Sequence, residues 1–276
     1  MQDTKLNFFP QTQNRAEAIA AGFRFGHIGT HTSRTIMLDE LATVFAAVPA
    51  DAKAAVYVDA IVEENCLAKQ TVSTRRLSMQ RLRELYALDP AVPIFRILRR
   101  LWTIDETGRP LLAFLASLAR DPLLLATADA VIGLSEGAEF QRNAMRDALA
   151  AAVHDRLNES TLNKVVRNAA SSWSQAGHME GRTFKFRRIV RPTPACVAFA
   201  LYLAHAAGFA VEESLTTGWL KVLDCGPSAA LELALGAKRL GLIDLRMAGD
   251  VIDLKLDRLD PYFGAATKSL YTPEAR

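Results

Sequence analysis

The chain has 276 residues, half of them hydrophobic, with 33 Lys and Arg against 30 Asp and Glu and a formal net charge of +3. That composition supplies a real core for one large domain or two ordinary ones and excludes extended disorder. So even a balance implies no nucleic-acid partner by itself, and the placement of the charge matters more. The cysteines, Cys66, Cys196 and Cys225, are widely separated and form no CxxC pair. This fits a reducing compartment and offers no zinc site. The opening MQDTKLNFFPQTQNR lacks a charged-then-apolar signal layout, so a cytoplasmic protein is expected.

In chain order, residues 1–12 read as an irregular arm anchored by Phe8 and Phe9, and Gln13–Phe25 as a short Ala-rich helix. Thr30–Ser33 is a polar break, with Thr32 or Ser33 placed to cap a helix over Arg34–Ala47 that Pro49 ends. Another helix is expected from Ala50 or Asp51 to Asn65. Ser73 and Thr74 then cap a basic helix whose Leu77, Leu82, Leu85 and Leu88 keep helical spacing, with Arg75, Arg76, Arg81 and Arg83 around the stripe. A capped, arginine-studded helix is the form in which a helix-turn-helix meets a duplex. Ile94–Trp102 is a helix carrying Arg96, Arg99 and Arg100; Thr107–Pro110 is a turn; two apolar helices flank Asp121-Pro122; and Ser135 caps a helix over Glu136–Ala152.

Past residue 155 the pattern changes. Asn158–Thr161 is a helix-start cluster, and Thr161–Gln175 turns Leu162, Val165, Val166, Ala169 and Trp173 inward and Lys164, Arg167 and Asn168 outward, with Gly177 as its stop. Thr183–Val190, TFKFRRIV, alternates with Phe184 and Phe186 on one side and Lys185 and Arg187 on the other. Helix, glycine stop and basic strand is the layout of a winged helix. Ala195–Val211 is almost wholly apolar but short for a bilayer, and it carries His205, so a buried core helix is expected and no membrane partner. Pro227–Leu240 is a further helix, followed by strand-like runs at Leu242–Met247 and Val251–Leu256 around Ala248-Gly249-Asp250. Their mixed charge suits packing against protein better than against DNA. The expected fold is mainly α: a helical bundle with a helix-turn-helix-like element over 1–155, then a winged-helix-like part with small β-hairpins over 156–276.

The catalytic inventory is poor. There is no phosphate loop, no dinucleotide glycine fingerprint and no GxSxG elbow. His27 and His31 lie in HIGTH, which reads as a loop with two partly exposed imidazoles rather than a metal site. No cofactor is called for. The positive signal is basic surface, with Arg75, Arg76, Arg81, Lys164, Arg167, Lys185, Arg187 and Arg188 as candidates for contact with the phosphates of double-stranded DNA. Arg187 and Arg188 are placed where a wing could reach a minor groove.

The segment IVEENCLAKQTVSTRRLSMQRLREL, from Ile61, resembles the BrxA family of BREX phage-defence systems, whose members carry a helix ending in Asn, then a Ser-Thr-Arg/Lys start to a basic helix. STLNKVVRNAASSWSQAGHMEG, followed by a basic strand and Arg191-Pro192, is similar to a second stretch of that family. The likeness spans roughly residues 15–210, and the chain departs from the pattern beyond that. It implies a small, mainly helical, cytoplasmic protein that binds DNA and works with a PglZ-like protein, an adenine methyltransferase and a large ATPase; since no catalytic constellation stands in the sequence, a non-enzymatic role is expected. A protein–protein scaffold of the same defence complex with little DNA affinity, or a transcriptional regulator of its operon, are the alternatives.

Overall fold

The computed structural model describes residues 5–11, 15–154, 156–248 and 251–260. The chain is mainly helical. Helices α1 (Arg15–Ala21), α2 (Leu38–Ala47), α3 (Ala54–Val62), α4 (Val72–Tyr86), α5 (Pro93–Ile104), α6 (Arg109–Arg120), α7 (Pro122–Leu125), α8 (Ala128–Ile132), α9 (Arg142–Val153) and α10 (Glu159–Gln175) lead to a hairpin of β1 (Met179–Glu180) and β2 (Phe186–Arg187). Then α11 (Pro194–Ala207), α12 (Val211–Ser214), α13 (Gly218–Lys221) and α14 (Pro227–Arg239) lead to a second hairpin of β3 (Asp244–Ala248) and β4 (Val251–Lys255). The turn joining β3 to β4 falls outside the described residues, as does the tail after Asp260.

Local chemistry sets most helix ends. Asn158 caps α10 by accepting from the Thr161 N–H, and Thr193 caps α11 by accepting from Cys196. Asp121 caps α7 through the N–H groups of Leu123 and Leu124. Gly177 and Gly208 sit at φ 89° and 102°, where α10 and α11 must turn left-handed to stop. The basic helix begins at Val72 with Thr71 as its cap, two residues before the expected Ser73.

Two expected helix starts are corrected. α2 begins at Leu38, not Arg34, and neither Thr32 nor Ser33 caps it. The residues before it are held by long-range bonds instead: the Ile36 N–H donates to Ser172 Oγ and the Ile36 carbonyl accepts from Tyr86 Oη. Likewise the expected helix over 136–152 starts only at Arg142, because Glu139 pairs with Phe186 as a bridge. A cap contributes about 1 kcal/mol, and long-range bonding outweighs it at both places, buried at Ile36 and in strand pairing at Glu139.

The alternating run at 183–190 forms less strand than its pattern suggests. Only Phe186–Arg187 pairs, antiparallel with Met179–Glu180 on one side and with the Glu139 bridge on the other. Three short segments thus lie in the order 139, β2, β1. Gly181, at φ 99°, allows the tight turn: a Cβ there would stand 2.0 Å from the Phe184 carbonyl oxygen.

The core centres on two helices buried on nearly every side. All residues of α6 from Leu111 to Arg120 are buried, and so is α11 from Ala195 to Ala204. The apolar run at 195–211 is therefore a core helix, and no single described helix is long and apolar enough to cross a membrane. One apolar cluster runs from Phe8 to Leu259 and passes across residue 155 without a break. The N-terminal arm joins it through Phe8, whose ring meets Trp219 edge-on at 5.0 Å. The expected second hairpin forms, its strands paired from Asp244↔Lys255 to Ala248↔Val251.

Candidate nucleic-acid interface

The expected contact residues separate sharply by environment. On α4, Arg75 is half-buried and donates to the carbonyls of Val62 and Lys69, closing the C-terminal end of α3. Arg81 is held by Glu84 at 2.7 Å. Of the arginines of that helix only Arg76 and Arg83 are exposed. Other basic residues of the bundle behave as Arg75 does. Arg99 donates to the carbonyls of Phe45 and Val48 at the end of α2. Arg120 donates to those of Gly22, Arg83 and Glu84. Many short helices leave many orphan carbonyls, and a guanidinium with five N–H groups can satisfy several at once.

On α10 the arrangement is different. Lys164 and Arg167 are exposed, three residues apart, and so project from one face of the helix. The opposite face is sealed by Leu162, Val165, Val166, Ala169 and Trp173, and the Trp173 Nε1–H donates to Thr127 Oγ1 at 2.8 Å. Asn168 is turned partly inward and donates to the His31 carbonyl.

The hairpin that follows inverts the expected alternation. Arg187 is 0% exposed, its guanidinium ion-paired with Asp224 and donating to the carbonyls of Val131, His178 and Arg188. It is a buried strut and presents nothing to a phosphate. Phe184 and Phe186 point the other way, 63% and 39% exposed, with Ile189 at 46%. The pairing of β2 with the Glu139 segment decides which side faces the core, and the apolar side loses. Lys185 is half-buried and donates to Ser174 Oγ at 2.7 Å; its own burial, then Arg142, lowers its ammonium pKa. Arg188 is exposed and paired with Glu180, while Arg182 at the turn is also exposed. Lys164, Arg167, Arg182 and Arg188 are thus the exposed cations of the α10–hairpin unit, from which Arg187 and Lys185 drop out.

The His27–His31 loop departs further from its expectation of two partly exposed imidazoles. His31 is 0% exposed, with Nδ1 2.7 Å from Asp121 Oδ2 and Nε2 2.8 Å from Ser172 Oγ. Acid, imidazole and hydroxyl in line have the connectivity of a hydrolase triad. Here all three are buried, and Ser172 Oγ also accepts from the Ile36 N–H and lies 2.9 Å from the Asn168 carbonyl. The relay therefore fastens the 3-10 turn at Thr30–Thr32, the start of α7 and the last turn of α10 to one another. Burial alone would raise the Asp121 carboxyl; His31 and the backbone N–H groups hold it low. No sequence signal at 27–31 announces this, because its partners lie 90 and 141 residues away. His27 packs instead against His154, ring to ring at 5.7 Å. Among the described residues no group of His, Cys, Asp and Glu could hold a metal ion.

No protein-family model matches the chain, and no curated protein matches it either.

Proposed function

We propose that the chain is a non-enzymatic DNA-binding protein that meets duplex backbone through α10 and the hairpin after it. The observation that carries this reading is the outward pair Lys164 and Arg167, on a helix followed directly by a hairpin bearing exposed Arg182 and Arg188. The order α8, bridge at Glu139, α9, α10, β1, β2, with the bridge beside β2, supports a winged-helix arrangement in which α10 is the recognition helix. The exposed rings of Phe184 and Phe186 suit such a wing, since apolar side chains beside arginines can wedge against base steps. Taken with the BrxA resemblance, this makes the protein a cytoplasmic component of a BREX-type defence system, acting beside a PglZ-like protein, an adenine methyltransferase and an ATPase.

The test is a salt titration of binding to random duplex and to single strands. The Lys164→Glu/Arg167→Glu variant is expected to weaken duplex binding across unrelated sequences and to reduce the slope of log affinity against log salt by about one per lost contact. An unchanged slope removes α10 from the reading. A second reading, a scaffold that docks other defence proteins, is favoured by one observation: Phe184, Phe186 and Ile189 make an apolar exposed side on the same hairpin. A wild-type chain that fails to retard DNA at low salt, yet loses a co-purifying partner on Phe184→Ser, selects it.

A further inference from the structure

A cleft of about 270 Å³ opens beside the C-terminal half of α4, lined by Met79, Gln80, Arg83 and Glu84, by Arg120 at the end of α6, and by Arg24. Three guanidinium groups therefore share one small opening. The single carboxylate among them, Glu84, is already committed: its oxygens accept from Arg81, Thr30 and Gln80. Among the described residues Arg24 and Arg120 have no carboxylate within salt-bridge distance; both donate to the Glu84 carbonyl instead. Carbonyl dipoles at helix ends carry only about half a charge, and they leave a nearly buried cation without a full counter-charge. Burial, and then the neighbouring Arg24, push the Arg120 pKa down to about 10. Like charges gathered without a counter-ion are costly, and a bound anion would remove that cost. Arg120 uses one N–H from each of its three nitrogens on carbonyls, which leaves its two other N–H groups as donors. Arg83 is exposed at the rim.

We propose that this cleft, lined by Arg24, Arg83 and Arg120, binds the dianion of a phosphate monoester or inorganic phosphate. Planar guanidinium groups recognise phosphate oxygens by paired N–H donation. The site stands apart from α10 and does not depend on the DNA reading. The same phosphate chemistry could come from a free nucleotide or from the terminal phosphate of a nucleic acid, and the experiment separates these. The full chain is titrated calorimetrically with inorganic phosphate, with AMP, and with short duplexes carrying a 5′-phosphate or a 5′-hydroxyl, against chloride at matched ionic strength. Saturable binding of phosphate or AMP is expected if the source is free. A preference for the 5′-phosphorylated duplex alone is expected if the source is a nucleic-acid end. In either case Arg83→Glu and Arg24→Gln should each weaken binding by about tenfold, the loss of one charge-assisted contact, while Lys164→Glu/Arg167→Glu leaves the binding of inorganic phosphate and AMP, and the ratio of 5′-phosphate to 5′-hydroxyl duplex affinity, unchanged. Arg83 is exposed, so its variant keeps the test meaningful even where an Arg120 variant fails to fold. The proposal is overturned if none of the probes binds saturably at millimolar concentration, or if both arginine variants bind as the wild type does.

Discussion

Helices α4 and α10 are both amphipathic and both carry arginines, yet they use them in opposite ways. α4 lies beside α3 and α6 and turns Arg75 and Arg81 onto partners within the bundle, one onto carbonyls and one onto Glu84. α10 packs one face and leaves Lys164 and Arg167 without an internal partner among the described residues. The lesson is that arginine density does not distinguish a surface for phosphate from an internal fastening. What distinguishes them is whether a helix end or a largely buried carboxylate lies within reach. In a chain of many short helices the internal demand is high, and it takes up Arg75, Arg99 and Arg187 before any is left for a ligand.

The sharpest way to break this comparison is at Arg187, which sequence pattern places on the wing and structure places in the core. Arg187→Met removes the charge at similar volume and leaves the buried Asp224 carboxylate without its counter-charge, with the Val190 N–H as its remaining donor among the described residues. Loss of one partner of a buried pair costs about 3–5 kcal/mol, so a large fall in the urea midpoint is expected, with the duplex affinity of the folded fraction unchanged. Arg187→Met/Asp224→Asn should cost less than the two single variants summed, because no lone charge remains. A stable Arg187→Met protein with weakened DNA binding would return Arg187 to the interface.

Next in size is a pH effect from the same region. His178 lies fully buried beside Arg187, with Nε2 2.7 Å from the Val222 carbonyl. Burial pushes its pKa from 6.5 down to about 4. The folded state therefore prefers the neutral imidazole. That preference contributes fully above the unfolded value and is lost as pH falls from about 6.5 towards 4. Stability should drop by up to roughly 3 kcal/mol across that window, measured by urea unfolding. His178→Gln should flatten the profile. Asp121 acts in the same direction at lower pH: its carboxyl is held low in the fold, so its contribution is present above the usual carboxylate value and disappears as acid protonates it.

Local signals in the sequence were reliable where the chain decides matters for itself. Asn158 as a cap, Gly177 as a stop, the inward set on α10 and the 244–255 hairpin all follow from neighbours within a few residues. What escaped notice depends on distant partners. Period-two alternation at TFKFRRIV gives two faces but not which one is buried; the Asp224 that draws Arg187 inward is 37 residues on. A Ser-His-Asp relay assembled from three elements leaves no local trace, and neither does a cleft built from Arg24, α4 and α6. Of the four exposed cations of α10 and its hairpin, Lys164, Arg167 and Arg188 were legible in the sequence, the first two because the apolar stripe fixes the exposed side of their helix.

The smallest effect is the most direct test of the contrast within α4 itself. Arg75 and Arg76 are adjacent, equally basic and indistinguishable by composition. Arg75 closes the end of α3 through the Val62 and Lys69 carbonyls, whereas Arg76 is exposed. Arg75→Ala should therefore cost about 1–2 kcal/mol of stability, the range for charge-assisted bonds to partly buried acceptors. Arg76→Ala should stay within about 0.5 kcal/mol, as surface changes do. Their effects on duplex affinity should run in the opposite order, with Arg75→Ala neutral once the protein is folded and Arg76→Ala lowering affinity slightly and equally for all sequences. If both variants are stable and both weaken DNA binding alike, α4 belongs to the interface as fully as α10, and carbonyl capping does not divide the arginines of this chain.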